Sequence, residues 1–311
     1  MSFSTRPTGP EPPRRTSPAH KPADRHGRQS ASVYRRRRLG CGGVLLAIVV
    51  LVVIVVKSLG GHQAAETSTE QPEPTTPPLS AEGWDPGTII TNAEMTDTST
   101  MTEAQVQQFL DTWGKGCRPG GDGAIACLKD YQVDAATKPA SASCPRPRER
   151  GQGLKASTII WRTAQACGIN PQVILVTLQK EQGLITASSS RLTQTRYDWA
   201  MGYGCPDGHD CDRQFAGFDT QVYQAAAQWK RYMNSPWSYS IIAGQVNHIP
   251  HSPDASCGAE DVMVTNRATA ALYNYTPYVP TEDALNGYTE GCSADGVGNL
   301  RFYEYMKAWF R

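Results

Sequence analysis

Eighteen uncharged residues, Leu39 to Val56, directly follow four consecutive arginines, Arg35 to Arg38, and this pairing constrains the chain more than any other feature. From Val44 onward the run is only Leu, Ile, Val and one Ala. As a helix it reaches about 27 Å, close to the roughly 30 Å of a bilayer's hydrocarbon core. Lys57 can snorkel to the far interface, and the arginines on the other flank orient the N-terminus inward. A cleaved signal peptide is the competing reading, with His62-Gln63-Ala64-Ala65 as its cleavage candidate. The apolar run is longer than a usual h-region and follows a tail longer than a usual n-region, which favours an uncleaved anchor. Cys41 precedes the run instead of following it, which argues against a lipoprotein signal.

The formal charge of +1 is unevenly spread. Residues 1–38 hold ten Lys and Arg against two acids, so that tail carries +8 and the remainder carries −7. Basic charge therefore belongs to the tail, and no nucleic-acid partner is expected for the folded part. The expected organisation is a disordered cytosolic tail over 1–38, a transmembrane signal-anchor over 39–57, a Pro/Thr/Glu-rich stalk over 58–87 and an extracytoplasmic domain over 88–311. The tail and stalk lack the apolar residues needed to offset their ordering entropy. The expected location is the plasma membrane, crossed once.

Cysteine usage agrees. Cys117, Cys127, Cys144, Cys167, Cys205, Cys211, Cys257 and Cys292 all lie beyond the anchor, an even number in a compartment that permits oxidation. Eight cysteines allow 105 pairings. Local loops favour Cys117 with Cys127, Cys205 with Cys211, and Cys257 with Cys292, leaving Cys144 with Cys167. The stretch Cys205 to Cys211 could instead hold a metal through His209, but it lacks a CxxC pair, and oxidised cysteines cannot ligate. No metal and no cofactor are expected. His248 and His251 resemble a metal pair only in spacing and read as surface residues.

The folded part has a 3.6-residue apolar period in several windows and almost no sustained alternation, so it reads as mainly α, with disulfide-pinned loops between helices. Predicted helices cover Thr102 to Trp113, Ala156 to Ala166, Asp219 to Met233, Asn266 to Asn274 and Leu300 to Phe310. Another begins with Asn170 as N-cap and Pro171 in its first position, and Gly183 is its expected terminator. At 100° per residue, Ile174, Leu178 and Glu181 fall within about 60° of arc, while Gln179 and Lys180 point elsewhere. A carboxylate on an apolar stripe is costly unless it is paired, protonated or set at a cleft edge. Desolvation of that kind is how an enzyme turns a carboxylic acid into a proton donor. A buried salt bridge or a solvated helix end is the plainer reading.

Leu178-Gln-Lys-Glu-Gln-Gly183, then Ala200-Met-Gly-Tyr-Gly204, then Ala270-Ala-Leu-Tyr-Asn-Tyr275 follow the order of three motifs in the lysozyme-like transglycosylases. The chain resembles that family from about Ala156 to Tyr278, with Gly298-Asn-Leu-Arg-Phe-Tyr303 as a closing helix. It is similar in particular to anchored or secreted bacterial wall proteins that carry a Gln-Lys-Glu-Gln helix and a Tyr-Asn-Tyr-Thr-Pro-Tyr motif, here Tyr273 to Tyr278. It departs from the main family at Gln182, where that family has Ser, and neither Gln194 nor Gln214 matches its groove glutamine.

The resemblance implies a lysozyme-like helical fold and a peptidoglycan glycosidase with Glu181 as general acid and base. It implies Met201, Gly202 and Tyr203 on the groove floor, Tyr273 facing the acid, and Asn274 and Tyr278 among the substrate-binding residues. Peptidoglycan glycan strands are the implied substrate, with envelope proteins as further partners. Asp198, Asp207, Asp210 and Asp212 lie near the groove motif but read as solvated loop acids. Among the aromatics that could stack on sugars (Trp199, Tyr203, Trp229, Trp237, Tyr239, Tyr275, Tyr278), Trp229 sits on a helical stripe and reads as core. The competing function is a non-catalytic glycan-binding or scaffold protein on the same fold.

Overall fold

The computed structural model describes residues 80–121 and 123–311. The tail, the anchor run and stalk residues 58–79 lie outside them. In chain order the elements are α1 (Asn92–Thr96), α2 (Glu103–Trp113), β1 (Gln132–Ala135), β2 (Gly151–Lys155), α3 (Ala156–Cys167), α4 (Pro171–Gln182) and α5 (Gln194–Asp198). They continue with α6 (Phe218–Asn234), β3 (Gln245–Pro250), β4 (Ala259–Val264), α7 (Arg267–Tyr275), α8 (Glu282–Leu285) and α9 (Ser293–Phe310). The domain is mainly α, as the periodicity predicts, with β1–β2 and β3–β4 forming two small antiparallel pairs. Among the described residues no helix is long and apolar enough to cross a membrane.

Helix α4 is the central element because its sequence leaves it no polar face. From Val173 to Leu178 every residue is 0–1% exposed, as expected for a helix that is apolar on all sides. Its start follows the sequence: the Asn170 side chain accepts from Gln172 N, and Pro171 occupies the first turn. Its end follows too. Gly183 adopts a left-handed conformation (φ 63°), donates to Leu178 O and Gln179 O, and turns the chain away. Leu184 and Ile185 are buried but leave the helix.

Around α4 pack α3 and α9, while α6 packs against α3 and α7. Helix α2 opens with a Thr102–Gln105 capping box and buries Val106 and Leu110. Its Phe109 meets Trp309 edge-on and stacks with Phe310, and Trp113 packs at a tilt on Trp309, joining α2 to α9. Trp229 is fully buried on α6, as its stripe predicts.

Two features differ from the sequence reading. Residues Glu82 to Pro86, read as the end of the stalk, are part of the fold. Glu82 O accepts from Tyr303 Oη and Lys307 Nζ, and the Trp84 ring meets Tyr303 edge-on. Helix α9 also starts at Ser293, well before the expected Leu300. The Gly-rich run 296–298 weakens its local signal, and tertiary bonds replace it: Asn299 Nδ2 donates to Thr276 O and Tyr278 O, and Ser252 Oγ to Asp295.

The strands β3 and β4 were hidden by inverted polarity. Val246 and Met263 pair across the ladder and face solvent, while Asn247 faces inward and bonds Ile242 N, Ile242 O and Gln245 O. An apolar/polar alternation with exceptions on both faces cannot be read as a strand.

All four disulfides form as the local loops favour: Cys117–Cys127, Cys144–Cys167, Cys205–Cys211 and Cys257–Cys292. Such a set fits an oxidising, extracytoplasmic compartment. Oxidation of Cys205 and Cys211 also excludes the metal reading of that stretch. The loop ahead of β2 is fixed by a sealed ion pair. Arg148 Nη2 lies 2.5 Å from Asp219 Oδ1, with side chains 2% and 9% exposed.

Candidate functional site

Glu181 is the last-but-one residue of α4, where the buried helix reaches the surface. Its side chain is 22% exposed. Lys180, expected to point elsewhere, folds back so that its Nζ lies 2.8 Å from Glu181 Oε1. The same ammonium donates to Thr276 Oγ1 at 2.7 Å, which ties the end of α4 to the residue after α7. Glu181 Oε2 faces the other way, onto Gly202. A Cβ at Gly202 would stand 2.7 Å from that oxygen, so the carboxylate lies against bare backbone. Gly202 is also left-handed (φ 69°), a conformation that side chains disfavour. The helix end itself is anchored by Arg196 of α5, which donates to Gln182 O.

The loop 201–203 is held from α6. Gln221, 0% exposed, accepts from Met201 N and Tyr203 N through Oε1 and donates from Nε2 to Tyr203 O and Phe215 O. One buried amide thus fixes the backbone that faces Glu181. From α7, Tyr275 Oη donates to Met201 O at 2.7 Å. Burial, reinforced by the Glu181 charge, pushes that phenol well above its usual range, so it remains a donor.

Gly202 and Tyr275 line a cleft of about 490 Å³. It is also lined by Tyr203, Gly204, Cys205, Pro206, Asp212, Phe215, Gln228 and Tyr232. The size and the mix of aromatic rings with a few polar groups suit a small organic or saccharide ligand. The Cys205–Cys211 bridge forms one wall, and its loop is fastened by a short contact in which Tyr278 Oη donates to Asp207 Oδ2. Asp212 lines the cleft with its carboxylate already accepting from Gln214 N and Nε2.

The structure brings together Glu181, Met201, Gly202 and Tyr203, but not the other expected site residues. Tyr273 is fully buried on the opposite side of α7, its Oη donating to Pro86 O. Asn274 is spent on structure, donating to Ile241 O and Ala270 O and accepting from Ile241 N. Tyr278 is 8% exposed and serves the disulfide loop. Tyr275, two residues further along α7 and so turned through about 200°, is the tyrosine whose phenol senses the Glu181 charge. His248 pairs with Asp261, and His251 Nδ1 meets Val279 O. Among the described residues no group of three His, Cys, Asp or Glu side chains could hold a metal ion.

Gln221, Gln228, Tyr232 and Thr276 were missed by the sequence reading. The available signal was Gln221 itself, a glutamine beside Val222 on the buried side of α6. No protein-family model, curated protein or solved structure matches the chain.

Proposed function

We propose that the domain is a cell-wall glycosidase with a lysozyme-like fold that cleaves peptidoglycan glycan strands as a lytic transglycosylase. The observation that carries this reading is Glu181: a carboxylate only 22% exposed, one oxygen engaged by Lys180 and the other against Gly202, a residue that lines an aromatic-walled cleft.

In this reading Oε2 delivers a proton. It passes to the glycosidic oxygen between N-acetylmuramic acid and N-acetylglucosamine as the bond to the anomeric carbon breaks. The substrate's 6-hydroxyl then closes onto that carbon and returns its proton to Glu181, giving a 1,6-anhydro end. No nucleophilic carboxylate is required, in contrast to the two-carboxylate glycosidases. Consistent with this, the cleft's Asp212 is occupied by Gln214 and Asp207 by Tyr278. Residues 39–57 would tether the domain to the plasma membrane. A stalk shortened to about two dozen residues, 58–81, reaches about 27 Å as a coil and about 75 Å if extended, which keeps the cleft within the inner wall.

A gel zymogram of peptidoglycan with the wild type and Glu181→Gln tests the assignment. Clearing should be lost by about 10³-fold in the variant. Equal clearing by both proteins ends the catalytic role of Glu181. Mass spectra of the released fragments should show anhydro ends, and reducing ends would make the enzyme a hydrolase. A glycan-binding module without turnover is the second reading, favoured by the Lys180 contact that occupies half of the carboxylate. It predicts binding with no clearing by either protein.

A further inference from the structure

A second cavity, of about 330 Å³, lies between the loop ahead of β2 and the second half of α3. It shares no lining residue with the cleft beside Glu181. Its walls include three arginines, Arg146, Arg148 and Arg162. Arg148 is buried and committed to Asp219 and Thr163 Oγ1, although its Nε has no partner. Arg146 and Arg162 differ. Among the described residues neither guanidinium makes an ion pair or a hydrogen bond, yet residues 80–311 hold 24 acids against 19 Lys and Arg. Burial pulls the Arg148 guanidinium down from its usual range, and the like charge of Arg162 adds to that pull against Asp219. Guanidiniums gathered on one concave surface repel one another. A fold with acids to spare has left two of them without a counter-charge.

We propose that this cavity binds an acidic saccharide, with Arg146 and Arg162 holding its oxyanion. The planar guanidinium fork matches the oxygens of a carboxylate or a phosphate. The other lining residues select the class of ligand. Trp161, half-buried on α3, gives the cavity an aromatic wall, on which the apolar face of a sugar ring packs. Glu149 lines the same space and, among the described residues, makes no ion pair. A carboxylate there repels a bare anion but accepts from a sugar hydroxyl. Gln165 adds a second acceptor, because its Nε2 is used on Thr98 O and its Oε1 is not. Two unpaired arginines against one glutamate leave the cavity weakly positive, which suits a sugar acid better than a dense polyanion. The volume lies at the lower end for a small-molecule site. A uronate carboxylate and a sugar phosphate present the same chemistry, and the experiment separates them. The site stands apart from the glycosidase reading of the Glu181 cleft.

The test is calorimetric titration of the full-length chain in an uncharged, non-glycosidic detergent. The probes are trigalacturonate, glucose 6-phosphate, neutral maltotriose, inorganic phosphate and a tetra-aspartate peptide. At least one of the two sugar acids should bind and maltotriose should not, and the tighter acid identifies the oxyanion. Arg146→Ala and Arg162→Ala should each weaken that acid about tenfold, the loss expected for a hydrogen bond to a charged group. Neither variant should lower the melting temperature, since neither side chain has a partner to lose. Arg148 is left unchanged, because its loss would break the Asp219 pair. No binding of either sugar acid, or full affinity in both variants, overturns the proposal. Inorganic phosphate or tetra-aspartate bound as tightly as the sugar acids leaves Trp161 and Glu149 without a role and overturns the saccharide assignment. The outcome is independent of peptidoglycan clearing, so this site and the Glu181 reading stand or fall separately.

Discussion

Asp219 and Glu181 each have a cationic partner, but in opposite settings. Asp219 is sealed. Its Oδ2 accepts from Ala136 N, and its partner Arg148 donates to Thr163 Oγ1 and lies over the Tyr223 ring at 5.2 Å. Burial pulls the Arg148 guanidinium down from its usual range while Asp219 pulls it back up. Glu181 is open on one side, with Lys180 on Oε1 and, among the described residues, no hydrogen bond to Oε2. A carboxylate whose oxygens and partner are all enclosed can only join two parts of the chain. One with an oxygen free of hydrogen bonds, beside a glycine that lines a cleft, is able to exchange a proton with a ligand.

The largest expected effect lies on the sealed side. Asp219→Ala leaves a charged guanidinium buried without its partner and should cost about 3–5 kcal/mol in denaturant unfolding. A loss under about 1 kcal/mol would mean that the pair is not the crosslink described. Peptidoglycan turnover per folded molecule should be unaffected.

Gly202→Ala should reverse that pattern. The left-handed backbone costs about 1 kcal/mol, yet the added methyl collides with Glu181 Oε2. Displacing the carboxylate by about 1 Å should lower turnover about 100-fold. Retained turnover would show that Glu181 works from another rotamer. The smallest effect belongs to Tyr275→Phe, which deletes the bond to Met201 O. Stability should fall by about 1 kcal/mol and turnover by less than tenfold, both read from the same melts and zymograms. A full loss of turnover would instead give the Tyr275 hydroxyl a direct part in the chemistry.

The contrast between the two carboxylates was only partly legible in the chain. Glu181 could be found because it breaks an apolar stripe on a helix whose start, Asn170-Pro171, and end, Gly183, are written locally. The expected tyrosine and the actual one share helix α7, and sequence could place a tyrosine near the acid but not choose between Tyr273 and Tyr275. That choice depends on how α7 is rolled against α4, which the Lys180–Thr276 bond and the burial of Tyr273 against Pro86 settle. Asp219 drew no notice, since its partner lies 71 residues earlier in a loop with no periodic signal.

By itself, then, the sequence determined what depends on near neighbours: helix spans and caps, local disulfide loops, the uneven charge and the candidate acid. These are set by backbone propensity, apolar period and short loop closure, all of which act within a few turns of chain. The tertiary structure alone decided which polar side chains share a space. It folded Lys180 back onto Glu181, placed Gly202 against Oε2, and buried Gln221 to brace the loop. Those contacts join residues far apart in the chain, and their energies arise only once packing has removed water and fixed the distances.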